Sequence, residues 1–310
     1  MAKSMRKTLI LAKIQPIAGT DAVPTAVLNA ILCRSTTITP VSATFADRNL
    51  IRPYFGNGGS VAVTKYSQIE LEVELAGAGE AGTAPAFGPL LRACGLAETV
   101  TVGTDAQYQP VTDGLELMTL YAYLDGVLHK MVDCRASVSL DVTSGAIPFL
   151  KFTVMGSYSP ITDAANPTGV DYSMFTRPLG VNKTNSPAWS LHGYTGCLQS
   201  FTMDLANQLA WRSLIGCEGA DISDRTPTGN AVLELPTIAA LDWPALVING
   251  SLAAFSITHG TAAGNIVKID MPKVQLTDPS YSDQNGIAML NLSLGIQPDV
   301  GNDELILTFK

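Results

Sequence analysis

Apolar and polar side chains alternate with a period of two along much of this chain. In "SQIELEVEL" (67–75), Ile69, Leu71, Val73 and Leu75 fall on one face, and Gln68, Glu70, Glu72 and Glu74 fall on the other. A strand that covers a core with one side and leaves the other wet has this pattern. The same alternation sets apart Val138, Leu140 and Val142, then Phe152 and Val154, then Leu290, Leu292 and Leu294. The chain is therefore expected to be mainly β. Two stretches depart from the pattern: "PAFGPLLRACG" (85–95) and "DWPALVING" (242–250) each set a proline six residues before a glycine. Proline in a first turn and glycine just past the last turn predict a short helix in each.

The alternating segments also repeat. "GVLHKMVDCRASVSLDVTSGAIPFLKFTVMGSYSP" (126–160) and "GNIVKIDMPKVQLTDPSYSDQNGIAMLNLSLGIQP" (264–298) each read as a long hairpin turning at Gly145 or Gly286. Each is preceded by the predicted helix and, before that, by a strand ending in Glu-Leu (Glu74-Leu75, Glu234-Leu235). Cys33 and Cys197 open the two blocks, and each block then runs into a long hairpin or loop. Strand, helix and hairpin thus occur twice in one order, which predicts two tandem β domains, sandwiches or partial barrels, each with one short flanking helix. The expected division is a basic N-terminal arm over 1–30, a first β domain over 31–161, a linker over 162–190 and a second β domain over 191–310. Units that cannot hide all their strand edges alone pair with each other or with further copies, so assembly is expected.

Apolar residues make up 46% of the 310 residues and charged ones 15%, enough to build cores of this kind. The net charge is −8, but residues 1–30 carry Lys3, Arg6, Lys7 and Lys13 against Asp21 alone. An acidic body is a poor phosphate binder, because nucleic-acid affinity comes chiefly from lysine and arginine. The five cysteines are odd in number, widely spaced and without a C-x-x-C pair, so they read as reduced, mostly buried thiols. The apolar run Leu9–Ala12 is too short for a signal peptide, and no segment approaches a membrane span.

Candidate chemistry is sparse. His129, His192 and His259 are isolated and read as structural, and no nucleophile, phosphate-loop or zinc motif occurs. No cofactor or metal is expected. Glu70, Glu72 and Glu74 share a strand face, which reads either as a solvated surface or as a functional lining. "DPSYSDQNG" (278–286) reads as a hairpin turn rather than a calcium loop. Trp189, Trp211 and Trp243 are expected as core or interface anchors.

"IQPIAGTDAVPTAVLNAILCRSTTITP" (14–40) followed by "GSVAVTKYSQIELEVELAGAGEAGTAPAFGPLLRACGL" (59–96) resembles the major tail tube proteins of long, non-contractile-tailed bacteriophages. The likeness lies in the Gly-Thr-Asp-x-x-Pro-Thr segment, the central strand and the "PLLRACGL" helix, and it extends loosely over the whole chain. It implies a non-enzymatic virion protein, assembled in the host cytoplasm, whose subunits join sheet edges into rings. Stacked rings would form the tail tube through which the genome is ejected. Family rings are usually hexamers of a single-domain subunit, so a doubled chain implies a trimer with pseudo-sixfold symmetry, or a hexamer if the second copy decorates the outside. The implied partners are further copies of itself and the tape measure, tail terminator and distal tail proteins. Double-stranded DNA would pass only in non-specific transit, and no membrane is involved. Under this resemblance Glu70, Glu72, Glu74 and Glu234 are the candidate lumen-lining residues. Lys3, Arg6, Lys7 and Lys13, with Arg52 and Lys65 on a long loop, are the candidate inter-ring contacts. The alternatives are a tube subunit of a contractile tail or related injection apparatus, and a glycan-binding or glycan-cleaving β-sandwich.

Overall fold

The structure, a computed structural model, describes residues 2–310. Its first half contains β1 (Thr8–Gln15), β2 (Ala30–Ile31), β3 (Ser35–Asp47), β4 (Ser60–Glu74), helix α1 (Gly88–Ala93), β5 (Leu96–Thr101), β6 (Asp105–Pro110), β7 (Leu117–Leu124), β8 (Val127–Thr143), β9 (Phe149–Tyr158) and β10 (Thr162–Asp163). The second contains β11 (Ala188–Leu191), β12 (Leu198–Asp204), β13 (Asn207–Leu214), β14 (Cys217–Arg225), β15 (Thr228–Glu234), helix α2 (Trp243–Ile248), β16 (Leu252–His259), β17 (Val267–Gln284), β18 (Ile287–Gln297) and β19 (Ile306–Phe309). The mainly β character and both short helices match the sequence reading. Pro89 and Pro244 lie in the first turns of the helices, and Gly95 and Gly250 follow them at positive φ. Both hairpin turns hold their glycine in the left-handed region, Gly145 at φ 82° and Gly286 at φ 86°, where a side chain would be strained.

Two long strands organise the molecule. Along one edge of β8 lie β7 and then β12; along the other lie β10 and then β9. The first half of β17 is bordered by β16 on one edge, and β19 and then β18 occupy the other. β9 pairs with β4 and β4 with β3, while β18 pairs with β15 and β15 with β12. The order β3-β4-β9-β8 is thus followed by β12-β15-β18-β17, giving one antiparallel run of eight strands. From the first halves of β8 and β17 the sheet continues into β7-β1-β2 and β16-β11, and β19 carries β6 and β5.

The halves expected as separate domains share one 17-stranded sheet. Two strand pairings cross between them, β8 with β12 and β6 with β19. One core runs through both: Phe201 stacks on Phe255 with ring centroids 4.2 Å apart, and Phe309 meets Phe87 and Tyr108, each at 5.7 Å. The segment after β4 touches the turn before β17 so closely that a Cβ on Gly77 would lie 2.2 Å from the Gly264 carbonyl. Residues 162–190, expected as a linker, supply β10, the start of β11 and the core residue Val181.

The segment expected as an N-terminal arm is anchored over its described residues: β1 pairs along its whole length with β7, and Leu9, Ile10, Leu11 and Ala12 are all buried. The "GTDAVPT" segment is held by Asp21, whose carboxylate accepts hydrogen bonds from Lys130 Nζ at 2.6 Å, the Tyr121 hydroxyl and the Val23 amide at 2.9 Å. Burial works to raise the Asp21 pKa, but the hydrogen bonds from Lys130, Tyr121 and Val23 outweigh it and hold the carboxyl below its ordinary value.

Candidate functional site

The eight-strand run has one face in the core and one facing away from it. Leu71, Val138, Leu140, Phe152, Phe201, Ala231 and Leu292 are buried, and their neighbours in sequence point to the opposite side. That opposite face carries Ser137, Ser139, Thr153, Thr202, Asn230, Asn291 and Ser293, together with Glu70, Glu72, Glu74, Asp141, Asp204 and Glu234. Glu74 closes β4 and Glu234 closes β15, opposite Phe149 and Met289 at the starts of β9 and β18. All four carboxylates proposed from the sequence therefore lie on one surface.

Sequence reasoning missed Asp141 and Asp204. The signal was present for Asp141: "SVSLDVT" puts it out of phase with Val138, Leu140 and Val142, as Glu70 is with Leu71. Two cations moderate the charge. Lys151 Nζ lies 2.9 Å from Glu70, and Arg34 Nε lies 3.8 Å from Glu72 with its guanidinium 4.6 Å from the centre of the Phe149 ring. The carboxylates outnumber them, so the face is electronegative and otherwise hydroxyl- and amide-rich.

The two ends of the run have open edges. Among the described residues, β3 pairs with β4 only, and β17 has no partner beyond Gln275 on the edge that β16 occupies earlier. β3 and β4 also project as a long arm over residues 42–66, where Phe45, Val61 and Val63 are exposed. Helix α2 fully buries none of its residues, and Ile248, Leu252 and Tyr281 around it are exposed.

The basic candidates are spread over different surfaces. Lys3 donates to the Asp125 carbonyl at 2.8 Å and Lys7 lies 3.6 Å from the Asp125 carboxylate, so both bind the turn between β7 and β8 of their own chain. Arg6 is exposed beside them, and Lys13 is exposed on β1. Arg52 stands 6.0 Å from the Tyr54 ring in the β3–β4 loop, and Lys65 stands 5.3 Å from the Tyr158 ring on β4.

Two of the histidines are held by groups of their own chain. His259 is buried with its ring nitrogens 2.9 Å from Ser186 Oγ and 3.1 Å from the Leu179 carbonyl, and His192 Nε2 meets the Val274 carbonyl at 2.8 Å. Burial lowers the pKa of His129, His192 and His259. Of the cysteines, Cys94 and Cys134 are buried, and burial pushes the half-buried Cys33 up to about 12. Cys197 and Cys217, expected as part of a mostly buried set, are exposed because they stand beside turns; a hydrogen bond to Glu234 raises the Cys197 thiol.

The sequence model of one protein family, described as phage tail tube protein, matches residues 5–298. No individual curated protein matches the chain.

Proposed function

This chain belongs to the phage tail tube protein family, and from that premise, which makes it a structural component of the virion's tail tube, we propose that three copies close into a ring. The eight-strand runs of the three chains would join end to end around a bore, and stacked rings would make the conduit for the ejected genome. The observation that carries this reading is the run itself: two similarly ordered sets of four strands in one chain, open at both ends, with an electronegative face turned away from the core. Six four-strand sets in three chains make a pseudo-sixfold wall, which fits a tandem duplication of one tube unit.

Closure would remove both open edges, which are otherwise templates for aggregation. With the polar face inward, Glu70, Glu72, Glu74, Asp141, Asp204 and Glu234 would line the bore. Carboxylates repel DNA phosphates over the Debye length of about 8 Å at physiological salt, and hydroxyl and amide side chains offer no counterion release to hold the backbone. DNA would then pass without adhering. Lys13 and Arg6, unpaired by carboxylates of their own chain in the contacts described above, remain proposed contacts to an adjacent ring.

Negative-stain electron microscopy of the purified protein tests this directly. Rings or tubes with an open bore, whose end-on averages contain three chains, are expected. A stable monomer, or six chains per ring, overturns the proposal.

A further inference from the structure

The chain contains one completed junction between its halves, and the open edges are the two sides of a second. At the completed junction β12 lies on β8 with Phe201 opposite Val142, Thr202 opposite Asp141, Met203 opposite Leu140 and Asp204 opposite Ser139. β12 holds the same place against β15 as β3 holds against β4, and β8 the same place against β9 as β17 against β18. Matching Glu234 to Glu74 along these ladders equates Phe201 with Thr36, Thr202 with Thr37 and Met203 with Ile38. It also equates Leu140 with Tyr281, Asp141 with Ser282 and Val142 with Asp283.

We infer that a second copy of this chain seats its β3 on the open edge of β17 in the register of the internal β12–β8 junction, placing Thr36 opposite Asp283, Thr37 opposite Ser282 and Ile38 opposite Tyr281. This rests on the ring-forming reading above and names the edge, strand and register that close the ring.

Three observations converge on it. Thr36 Oγ1 is buried without a hydrogen-bond partner among the described residues, and a buried unpaired hydroxyl is costly. The inferred register sets it against Asp283, of which one carboxylate oxygen accepts from the Gly286 amide and the other is free to accept from a hydroxyl. Tyr281 lies on the core-facing side of its strand, as Leu140 does, yet it is 63% exposed while Leu140 is 3% exposed. The difference is the missing strand: β12 borders Leu140, whereas among the described residues Tyr281 is bordered by β18 on one edge only and has an edge contact with Trp243.

The arms agree with the strands. Past Asp204 the chain breaks register and enters β13–β14, which reaches the end of α1: Asn207 Nδ2 donates to the Cys94 carbonyl at 2.7 Å, and Ile222 abuts Gly95. β3 breaks register at the corresponding place, between Thr39 and Ser42, and enters the β3–β4 arm. A neighbour docked in this register would carry Phe45 and Val63 of that arm toward the exposed Ile248 and Leu252 at the end of α2.

The test is disulfide trapping in assembled protein, in a background with the exposed Cys197 and Cys217 replaced by serine. Directly opposed residues stand about 4.5–5.5 Å apart at Cα, within disulfide reach, whereas a pair two residues out of register stands about 7–8 Å apart. Oxidised T37C/S282C is expected to give linked species ending at three chains, and T37C/S280C at least tenfold less product. If rings form but T37C/S282C does not link, or both pairs link equally, the register is wrong and the ring reading stands. If the unaltered chain forms no rings, both fail. Should the cysteine variants not assemble, hydrogen exchange on the unaltered chain decides: slowing of about tenfold or more at residues 35–39 and 280–284 on assembly is expected, and unchanged exchange there overturns the inference.

Discussion

Helices α1 and α2 occupy the same place in two similar strand orders, between a strand that ends in glutamate and the strand that leads into a long hairpin, but they live in different surroundings. α1 fully buries Gly88, Leu90, Leu91 and Ala93; α2 fully buries no residue, and its Trp243, Leu246 and Val247 lie only partly buried against the core. Their sequences do not account for this, since "GPLLRA" and "WPALVI" are comparably apolar. What differs is the cover. β5 packs on α1, and Asn207 and Ile222 at the β13–β14 arm close its end. The second half has no strands between α2 and β16, and no further β12 to close β17. The first half is thus finished by the second, and the second is left unfinished within one chain. A sheet that shows one completed and one open version of the same junction teaches what the open one is shaped to receive.

The comparison can be broken on its finished side. Arg225, at the root of the β13–β14 arm, lies 2.5 Å from Glu304 and donates to the Val111 carbonyl at 3.3 Å and to Asn302 at 3.2 Å, with both charged groups nearly removed from solvent. Removing one partner of a buried pair strands the other charge, so Arg225→Ala is expected to cost about 3–5 kcal/mol in chemical denaturation. An unchanged midpoint would mean the arm does not hold the halves together. Phe201→Ala, within the internal junction, is expected to cost about 3–5 kcal/mol through the cavity it leaves against Phe255.

The same kind of change on the open side should act differently. Tyr281→Ala leaves no buried cavity in the single chain, so its stability is expected to shift by less than about 0.5 kcal/mol. The protein concentration needed for assembly should rise by about tenfold, equivalent to about 1.4 kcal/mol. Sedimentation beside thermal unfolding separates the two effects. A destabilised monomer with normal assembly would reverse the assignment of open and closed sides.

A smaller effect is expected at the anchored N-terminal segment. Asp21→Asn removes a charged acceptor shared by Lys130, Tyr121 and the Val23 amide, and should cost about 1 kcal/mol. Because the folded carboxyl lies below its ordinary 3.8, its contribution is fully present above that value and is lost as pH falls through the folded one. Stability of the parent should therefore drop more steeply than that of D21N below pH 4, as read from melting temperatures across that range. The smallest change in folding should come from Glu70→Gln with Glu234→Gln: Glu70 pairs only with a half-exposed Lys151, and such pairs contribute about 0–1 kcal/mol. Retention of duplex DNA by assembled protein at low salt should nonetheless increase, and equal retention would remove these residues from the bore.

Much of the fold was legible because half-buried strands announce themselves. The alternation of "SQIELEVEL" and "SVSLDVT", the glycines at 145 and 286, and the proline-to-glycine spacing of the helices each carry their own local cause. β1 was not legible as a strand, because Leu9 to Ala12 are buried on both faces and so lack alternation. Its charged flanks suggested an arm instead. Nor could the sequence show that β6 pairs with β19, Ala106 with Phe309 at the far end of the chain, or that β8 continues into β12. Such pairings are set by edges rather than by any residue pattern, and they turned two expected domains into one sheet. For the polar face, Glu70, Glu72 and Glu74 were visible from their phase within one strand and Glu234 as the counterpart of Glu74 in the repeat; Asp204 needed the ladder across β12 and β15 to join them.

The measurement that bears most directly on this account is the number of chains in a ring, read from end-on averages of the assembled protein. Three chains, with six repeating wall segments, is the predicted result. A ring of six chains, or no ring at all, would contradict it.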